Sequence, residues 1–227
     1  MSDERIEGLS RQLEVLDEKM ASGDSVGGWK VGLTSGRARN SMGEDFRPFG
    51  YILLSRIFES GVVVDLESIG RTGVENELCF VVGETLTGQV SREEVVGAFA
   101  SGSPAFEINQ RRLESSAPAG DRLADALSQW GIVMGTSRSI ENVAFDDIVV
   151  SLTRDGEMVE TVRARGHIDD HFDSIARLTA QLDRFGRSLE RDACVITGSF
   201  TRQGVPSPSR WLGEFGPCLG NVEVVFS

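Results

Sequence analysis

The stretch Val74-Glu75-Asn76-Glu77-Leu78-Cys79-Phe80-Val81-Val82 decides how this chain is read. Its second half is an unbroken apolar run of Val, Leu, Cys and Phe, the composition of a buried strand. Side chains two apart in a strand share a face, so Glu75 and Glu77 stand side by side while Val74, Leu78, Phe80 and Val82 turn to the core. Two carboxylates abreast repel each other, and opening an apolar strand with them is costly unless a cation neutralises them. Taken alone, the pair reads most simply as solvated at a frayed strand end, because exposed strand faces often carry Glu.

The same texture recurs on both sides. GWKVGL, YILL, GVVVDL, WGIVMG, DIVVSL, CVITGSF and VEVVF are short apolar runs that read as strands, and 26 glycines supply turns between them. Helices are predicted where the period lengthens. Ile6, Leu9, Leu13, Leu16 and Met20 recur at three- and four-residue steps. Ser91 with Glu94 forms a capping box ahead of EEVVGAFA, and Asp170 to Phe185 carries Phe172, Ile175, Leu178, Leu182 and Phe185 on one face. The PSPSR segment reads as an exposed loop. Strands dominate without alternating regularly with helices, which predicts one mixed α+β domain with antiparallel or mixed sheets.

Composition narrows the function. The 227 residues are 40% hydrophobic and 26% charged, ordinary for a globular domain. A formal charge of −12 argues against gripping nucleic acid, which depends on Lys and Arg displacing counterions. No stretch approaches the roughly 20 apolar residues of a membrane span. The start, MSDERIEGLSRQ, lacks the pattern of a secretory signal. Cys79, Cys194 and Cys218 form no CxxC and fit reduced thiols of a cytoplasm. The expectation is an acidic cytoplasmic protein acting on a small molecule or a protein partner.

Glu107 alters the reading of the glutamate pair. It is the lone acidic residue in the apolar stretch PAFEI, and buried single carboxylates are rare unless paired or bound to metal. Three converging carboxylates would form an all-oxygen site suited to Mg²⁺ or Mn²⁺. Lys30, inside the apolar run GWKVGL, would then lie near a metal as a proton shuttle or carboxylate holder; by itself it reads as a snorkelling surface lysine. His167 and His171 in HIDDH are a weak zinc candidate, since no third nitrogen or sulfur ligand is near and the segment reads as a helix start capped by Asp169 or Asp170. GSFT at 198–201 offers hydroxyls. Neither a Walker A loop nor GxGxxG is present.

In order along the chain, GWKVGLTS (28–35), VENELCFVVG (74–83), PAFEINQRR (104–112), DRLADALSQWGIVMG (121–135), ITGSF (196–200) and LGNVEVVFS (219–227) resemble the fumarylacetoacetate hydrolase superfamily, in its 2-oxopent-4-enoate hydratase / 4-oxalocrotonate decarboxylase branch. The resemblance implies a mixed β-roll or β-sandwich with a few flanking helices, formed by a single catalytic domain over 28–227 behind a short helical lead over 1–27. It implies Mg²⁺ or Mn²⁺ on Glu75, Glu77 and Glu107, Lys30 as the catalytic group, and Asp125, Ser128 and Ser199 around a 2-oxo acid substrate. Self-association, or a complex with a related enzyme, is implied too. The reaction implied is hydration of a 2-hydroxydienoate, with decarboxylation of an oxo-diacid, or a repurposed non-catalytic member, as alternatives. Two positions depart from the family pattern. Pro48 stands where an acid/base Asp is common, and Ala126 where an amide follows Asp125. Proton transfer would then fall to Lys30, a metal-bound water, or Glu44 or Asp45.

Overall fold

The β-rich reading becomes two packed sheets in a computed structural model that describes residues 3–114 and 116–227. The chain opens with helix α1 (Asp3–Ala21), then strands β1 (Val26–Val31), β2 (Phe49–Leu53), β3 (Ile57–Glu59) and β4 (Val62–Val64). Helix α2 (Leu66–Ile69) leads to β5 (Thr72–Val81), α3 (Arg92–Ala98), β6 (Ser101–Gln110) and α4 (Ala119–Ala124). Strands β7 (Gln129–Met134), β8 (Arg138–Ser139), β9 (Val149–Arg154) and β10 (Glu157–Arg163) follow, then α5 (His171–Asp183). The chain finishes with β11 (Cys194–Ile196), β12 (Thr201–Val205), β13 (Ser209–Glu214), α6 (Gly216–Leu219) and β14 (Asn221–Phe226).

The larger sheet runs β2-β1-β11-β5-β6-β7-β3, with β12 also on β5 and β8 on β6; the smaller runs β10-β9-β13-β14-β4. The architecture is α+β with mixed sheets. Val74, Leu78, Phe80 and Val82 lie in the main core, packed with Phe106, Trp211 and the apolar faces of α1 and α5. The opposite face of the large sheet holds a second, smaller cluster of Ile52, Cys79, Ala105, Ile132, Cys194 and Ile196. The glutamates of VENEL open onto this second face.

Of the lead over 1–27, the described helix α1 is built into the main core. Leu9, Leu13 and Leu16 are buried there, and buried Gln12 donates through Nε2 to the carbonyls of Phe49 (3.1 Å) and Leu123 (2.6 Å), tying α1 to β2 and α4. The capping box at Ser91 forms, and Asp170 caps α5 by accepting from Phe172 N and Asp173 N. One local expectation is corrected. In PSPSR, Ser209 and Arg210 start β13, whose register against β14 runs from Ser209 opposite Phe226. Strands β10 (EMVETVR) and β13 (SRWLGE) break their apolar residues into pairs between polar and charged ones, so no apolar run marked them in the sequence.

Candidate active site

Strands β5 and β6 are antiparallel, with Glu75 opposite Glu107 and Glu77 opposite Ala105. Directly opposed residues project from the same face, so this register delivers all three carboxylates to one point above the small Ala105. One oxygen from each lies within 4.8 Å of the others. Their exposures are 5%, 3% and 3%, which excludes the solvated, frayed-end reading of the pair.

Each carboxylate has its own support. Glu75 accepts from Asn109 Nδ2 and from Arg202 Nη2, both at 2.8 Å. Asn109 follows Glu107 by two residues and Arg202 is the cross-strand partner of Glu75 on β12, so both land on the same face. Glu77 accepts from Gly198 N–H at 2.8 Å. That contact comes from a break in the ladder: β11 leaves β5 after Ile196 pairs Cys79, and β12 rejoins where Thr201 pairs Asn76. The intervening residues loop over Glu77. Gly198 has φ +131°, and a Cβ there would fall 1.9 Å from Thr34 Oγ1, so only glycine fits.

Glu107 is ion-paired with Lys30, whose ammonium also donates to the Leu127 carbonyl at 3.1 Å. Lys30 is buried at 6% exposure, so it is no snorkelling surface lysine. Its cross-strand partner on β2 is Gly50, where a Cβ would meet Ala126 O at 2.9 Å and Lys30 Cγ at 3.0 Å. The absent side chain makes the channel for the lysine stem. The Leu127 carbonyl is aimed by Ala126, Leu127 and Ser128, three successive residues in the left-handed region (φ 49°, 55° and 66°). That conformation costs an L-residue roughly 1–2 kcal/mol, and such strain clusters at sites where geometry matters. Lys19 and Lys30 are the only lysines in a chain that otherwise uses arginine. An ammonium, unlike a guanidinium, readily loses its proton when buried, and so suits proton handling.

Burial, with Glu107 and Glu75 alongside, holds the Glu77 carboxyl well above the ordinary carboxylate range. Burial also raises Glu107, against the pull of Lys30. Among the described residues, Lys30 and Arg202 are the cations in direct contact with the three buried carboxylates. That residual negative charge, in an all-oxygen donor set, fits a hard divalent ion such as Mg²⁺ or Mn²⁺. Among the described residues this is the one cluster of metal-ligating side chains so arranged.

A cleft of about 530 Å³ opens above the triad, lined by Lys30, Ser128, Ser199 and arginines at its mouth. Asp125 is placed differently from the expectation. It does not line the cleft; its carboxylate is taken by Arg112, 13 residues upstream. Glu44 and Asp45 are exposed, and neither lines the cleft. Pro48 is buried, its carbonyl accepting from Gly32 N at 2.7 Å. His167 and His171 do not converge on a metal. His167 precedes α5 and its Nε2 lies 3.3 Å from Ser199 O, whereas His171 Nδ1 bonds Thr197 Oγ1 at 2.7 Å.

Fold and site together give a mixed-sheet α+β protein with a buried carboxylate triad able to hold a metal ion. No family model matches the chain. It is 25% identical over 181 residues to a 2-hydroxypent-2,4-dienoate hydratase of Pseudomonas putida, covering 77% of this chain and 80% of that protein. It is 27% identical over 221 residues to a 2-oxo-hept-4-ene-1,7-dioate hydratase of Escherichia coli, covering 93% and 81%. Its fold is shared with the 4-oxalocrotonate decarboxylase of Pseudomonas putida G7, solved with magnesium and adipate, at a TM-score of 0.88 and 24% identity over 97% of this chain and 85% of that one. The curated proteins it resembles are hydratases and a decarboxylase, and its fold is shared with fumarylacetoacetate hydrolase family structures. No helix among the described residues is long and apolar enough to cross a membrane.

Proposed function

We propose that this protein is a Mg²⁺- or Mn²⁺-dependent hydro-lyase that adds water to a 2-hydroxydienoic acid. The observation that carries this is the register of β5 and β6, which assembles Glu75, Glu77 and Glu107 as a buried triad at the floor of a cleft. These residues would hold the ion, which when bound supplies a Lewis acid for the carboxylate and 2-oxygen of the substrate.

The chain's own groups would do the rest. Lys30, fixed between Glu107 and the Leu127 carbonyl, would hold or relay the proton that moves along the conjugated chain. Ser128 and Ser199 line the same cleft and would orient substrate oxygens. The Ser199 hydroxyl donates to Thr201 O at 2.8 Å, which leaves its lone pairs free to accept.

The test is loss of dienol ultraviolet absorbance on adding Mg²⁺ or Mn²⁺ to the purified protein with a 2-hydroxydienoate. Glu107→Ala should abolish that loss with the fold intact; full activity in the variant refutes the assignment. Decarboxylation of an oxo-diacid is the second reading, favoured by the fold shared with a decarboxylase, and trapped CO₂ distinguishes it. Pro48, in place of a family acid, motivates a third, a partner subunit for a related enzyme. It holds if the protein consumes no dienoate yet co-purifies with an active paralogue. Self-association and a cytoplasmic location belong to the same proposal, supported by the resemblance and by three free cysteines; sedimentation and cell fractionation test them.

A further inference from the structure

Ala126, Leu127 and Ser128 form one tight turn in the left-handed sense, which L-residues disfavour. Ser128 N–H donates to Asp125 O at 3.0 Å and Gln129 N–H donates to Ala126 O, closing the turn. A right-handed turn makes the same two bonds without the conflict between Cβ and carbonyl, so backbone bonding does not explain the hand. The hand matters to the site. It presents the Leu127 carbonyl to Lys30 Nζ at 3.1 Å and the Ser128 side chain to the cleft. The seat is close: a Cβ on Gly32 would fall 2.5 Å from Leu127 Cδ1.

One guanidinium grips both ends of this turn. Arg112 donates from Nε to Asp125 Oδ1, and from Nη2 to the carbonyls of Asp125 and Gln129, each at 3.1 Å. Asp125 and Gln129 are the residues immediately before and after the left-handed three. The remaining nitrogen, Nη1, donates to Gln110 Oε1 at 2.8 Å, and Gln110 Nε2 donates to Ile69 O at 2.8 Å. Gln110 ends β6, the strand that carries Glu107. The two oxygens that accept from the Lys30 ammonium are thus set from one strand, that of Glu107 directly and that of Leu127 through Arg112. Among the described residues, neither Arg112 nor Asp125 lines the cleft.

We infer that Arg112 is a positioning residue for the lyase reaction: it holds the left-handed turn by both ends, and the Leu127 carbonyl of that turn holds the Lys30 ammonium over the triad. This rests on the lyase reading of the site. Asp125 is then the carboxylate that seats Arg112. The planar guanidinium suits the task, because its three nitrogens meet four acceptors on Gln110, Asp125 and Gln129 at fixed angles. A lysine, with one nitrogen on a flexible stem, cannot span all three residues at once. Without the clamp, Lys30 keeps its ion pair with Glu107 and loses the second contact that sets where its protons point. Misplacing a reacting group by about 1 Å costs on the order of a hundredfold in rate.

The chain has two lysines, Lys19 and Lys30, so full-length protein carrying lysine carbon-13 labelled at Cε gives two side-chain peaks by nuclear magnetic resonance. Lys19→Arg assigns them. In Arg112→Ala the Lys30 peak should move while the Lys19 peak and the calorimetric Mg²⁺ affinity stay unchanged. Dienoate kcat with saturating Mg²⁺ should fall on the order of tenfold to a hundredfold. The Arg112 side chain is 36% exposed, so its truncation leaves a slot open to solvent. Millimolar guanidinium, far below denaturing concentrations, should return the Lys30 peak and part of kcat, whereas ammonium at the same ionic strength should not. Arg112→Lys, which keeps stem and charge if the alanine variant does not fold, should move the peak likewise. An unmoved Lys30 peak overturns the positioning role. So does a change in which the Lys19 peak and Mg²⁺ affinity are lost together with it, because that is loss of structure at large. If the Lys30 peak moves and guanidinium returns it, but the unaltered protein consumes no dienoate, the lyase reading falls and the hold of Arg112 on Lys30 stands.

Discussion

The Lys30 ammonium donates a hydrogen bond to Glu107, 77 residues further along the chain, with their side chains only 7% and 4% exposed. The pair joins two strands that are not neighbours: β1 carries the lysine, β6 the glutamate, and β11 and β5 lie between them in the sheet. The two charges therefore meet, buried, on the inner face of the sheet, where a lone charge is costly.

Lys30→Met should remove the proton-handling group and leave Glu107 buried without its partner. Breaking one side of a buried pair costs about 3–5 kcal/mol, so urea unfolding of the metal-free variant should show a loss of that order. Turnover with saturating Mg²⁺ should drop at least a hundredfold, on the order of a general acid–base contribution. Lys30→Arg should not restore it, because the channel beside Gly50 is sized for a lysine stem.

Glu107→Gln keeps the shape and removes one ligand charge. Calorimetric Mg²⁺ affinity should fall on the order of a hundredfold or more, while circular dichroism shows the fold retained. The metal-free melting temperature should fall, because buried Lys30 loses its charged partner and that attraction outweighs the repulsion with Glu75 that the change relieves. Undiminished Mg²⁺ binding would remove Glu107 from the centre.

Protons and metal should compete for the triad. Glu77 and Glu107 have folded-state values raised above the ordinary 4.5. In the metal-free protein their contribution to stability is present below 4.5 and is lost as pH climbs through the raised values. A bound divalent ion favours the deprotonated forms, so Mg²⁺ affinity should strengthen with pH and the rise in melting temperature on adding Mg²⁺ should be larger at pH 8 than at pH 5.5. A shift independent of pH would count against protonation at the triad.

His171 should govern part of the acid sensitivity. Burial among aromatic rings lowers it from 6.5 to about 4. The unfolded chain takes up this proton below 6.5 while the folded one resists, so stability is complete above 6.5 and declines as pH falls to about 4. The slope is about 1.4 kcal/mol per pH unit. His171→Phe should be less stable at pH 7 through loss of the Thr197 bond, yet decline less steeply between pH 6.5 and 4. Parallel decline in urea titrations at several pH values would exclude the buried neutral imidazole.

Gly198→Ala should damage both fold and site. A methyl group there collides with Thr34, and the positive φ is strained for alanine. The cost is about 1–3 kcal/mol, readable as a lower melting temperature. Any displacement of the 197–200 loop withdraws the N–H from Glu77, so Mg²⁺ affinity should weaken in step. Thr34→Ser keeps the Oγ1 clash and should not relieve it, whereas Thr34→Gly should remove the clash and leave the cost of the positive φ.

The residues of VENEL and PAFEI, taken in order, determined the strand class, the core face of Val74, Leu78 and Phe80, and the acidic, hard-ion character of the centre. Those follow from side-chain chemistry and a period of two, which are local and so are written in the sequence. Local patterning could not say whether Glu75 and Glu77 are buried, because an exposed strand end and a metal site have the same composition. Register decided it: the pairing of Glu75 with Glu107 on one side and with Arg202 on the other joins segments 32 and 127 residues away. The same holds for Asp125, whose acidic character is plain in the sequence but whose carboxylate turns to Arg112 once α4 is placed. Lys30 needed the tertiary structure most. Nothing within its own strand distinguishes a snorkelling lysine from a buried one, and only the glycine across from it and the strained turn at 126–128 hold the ammonium over the triad.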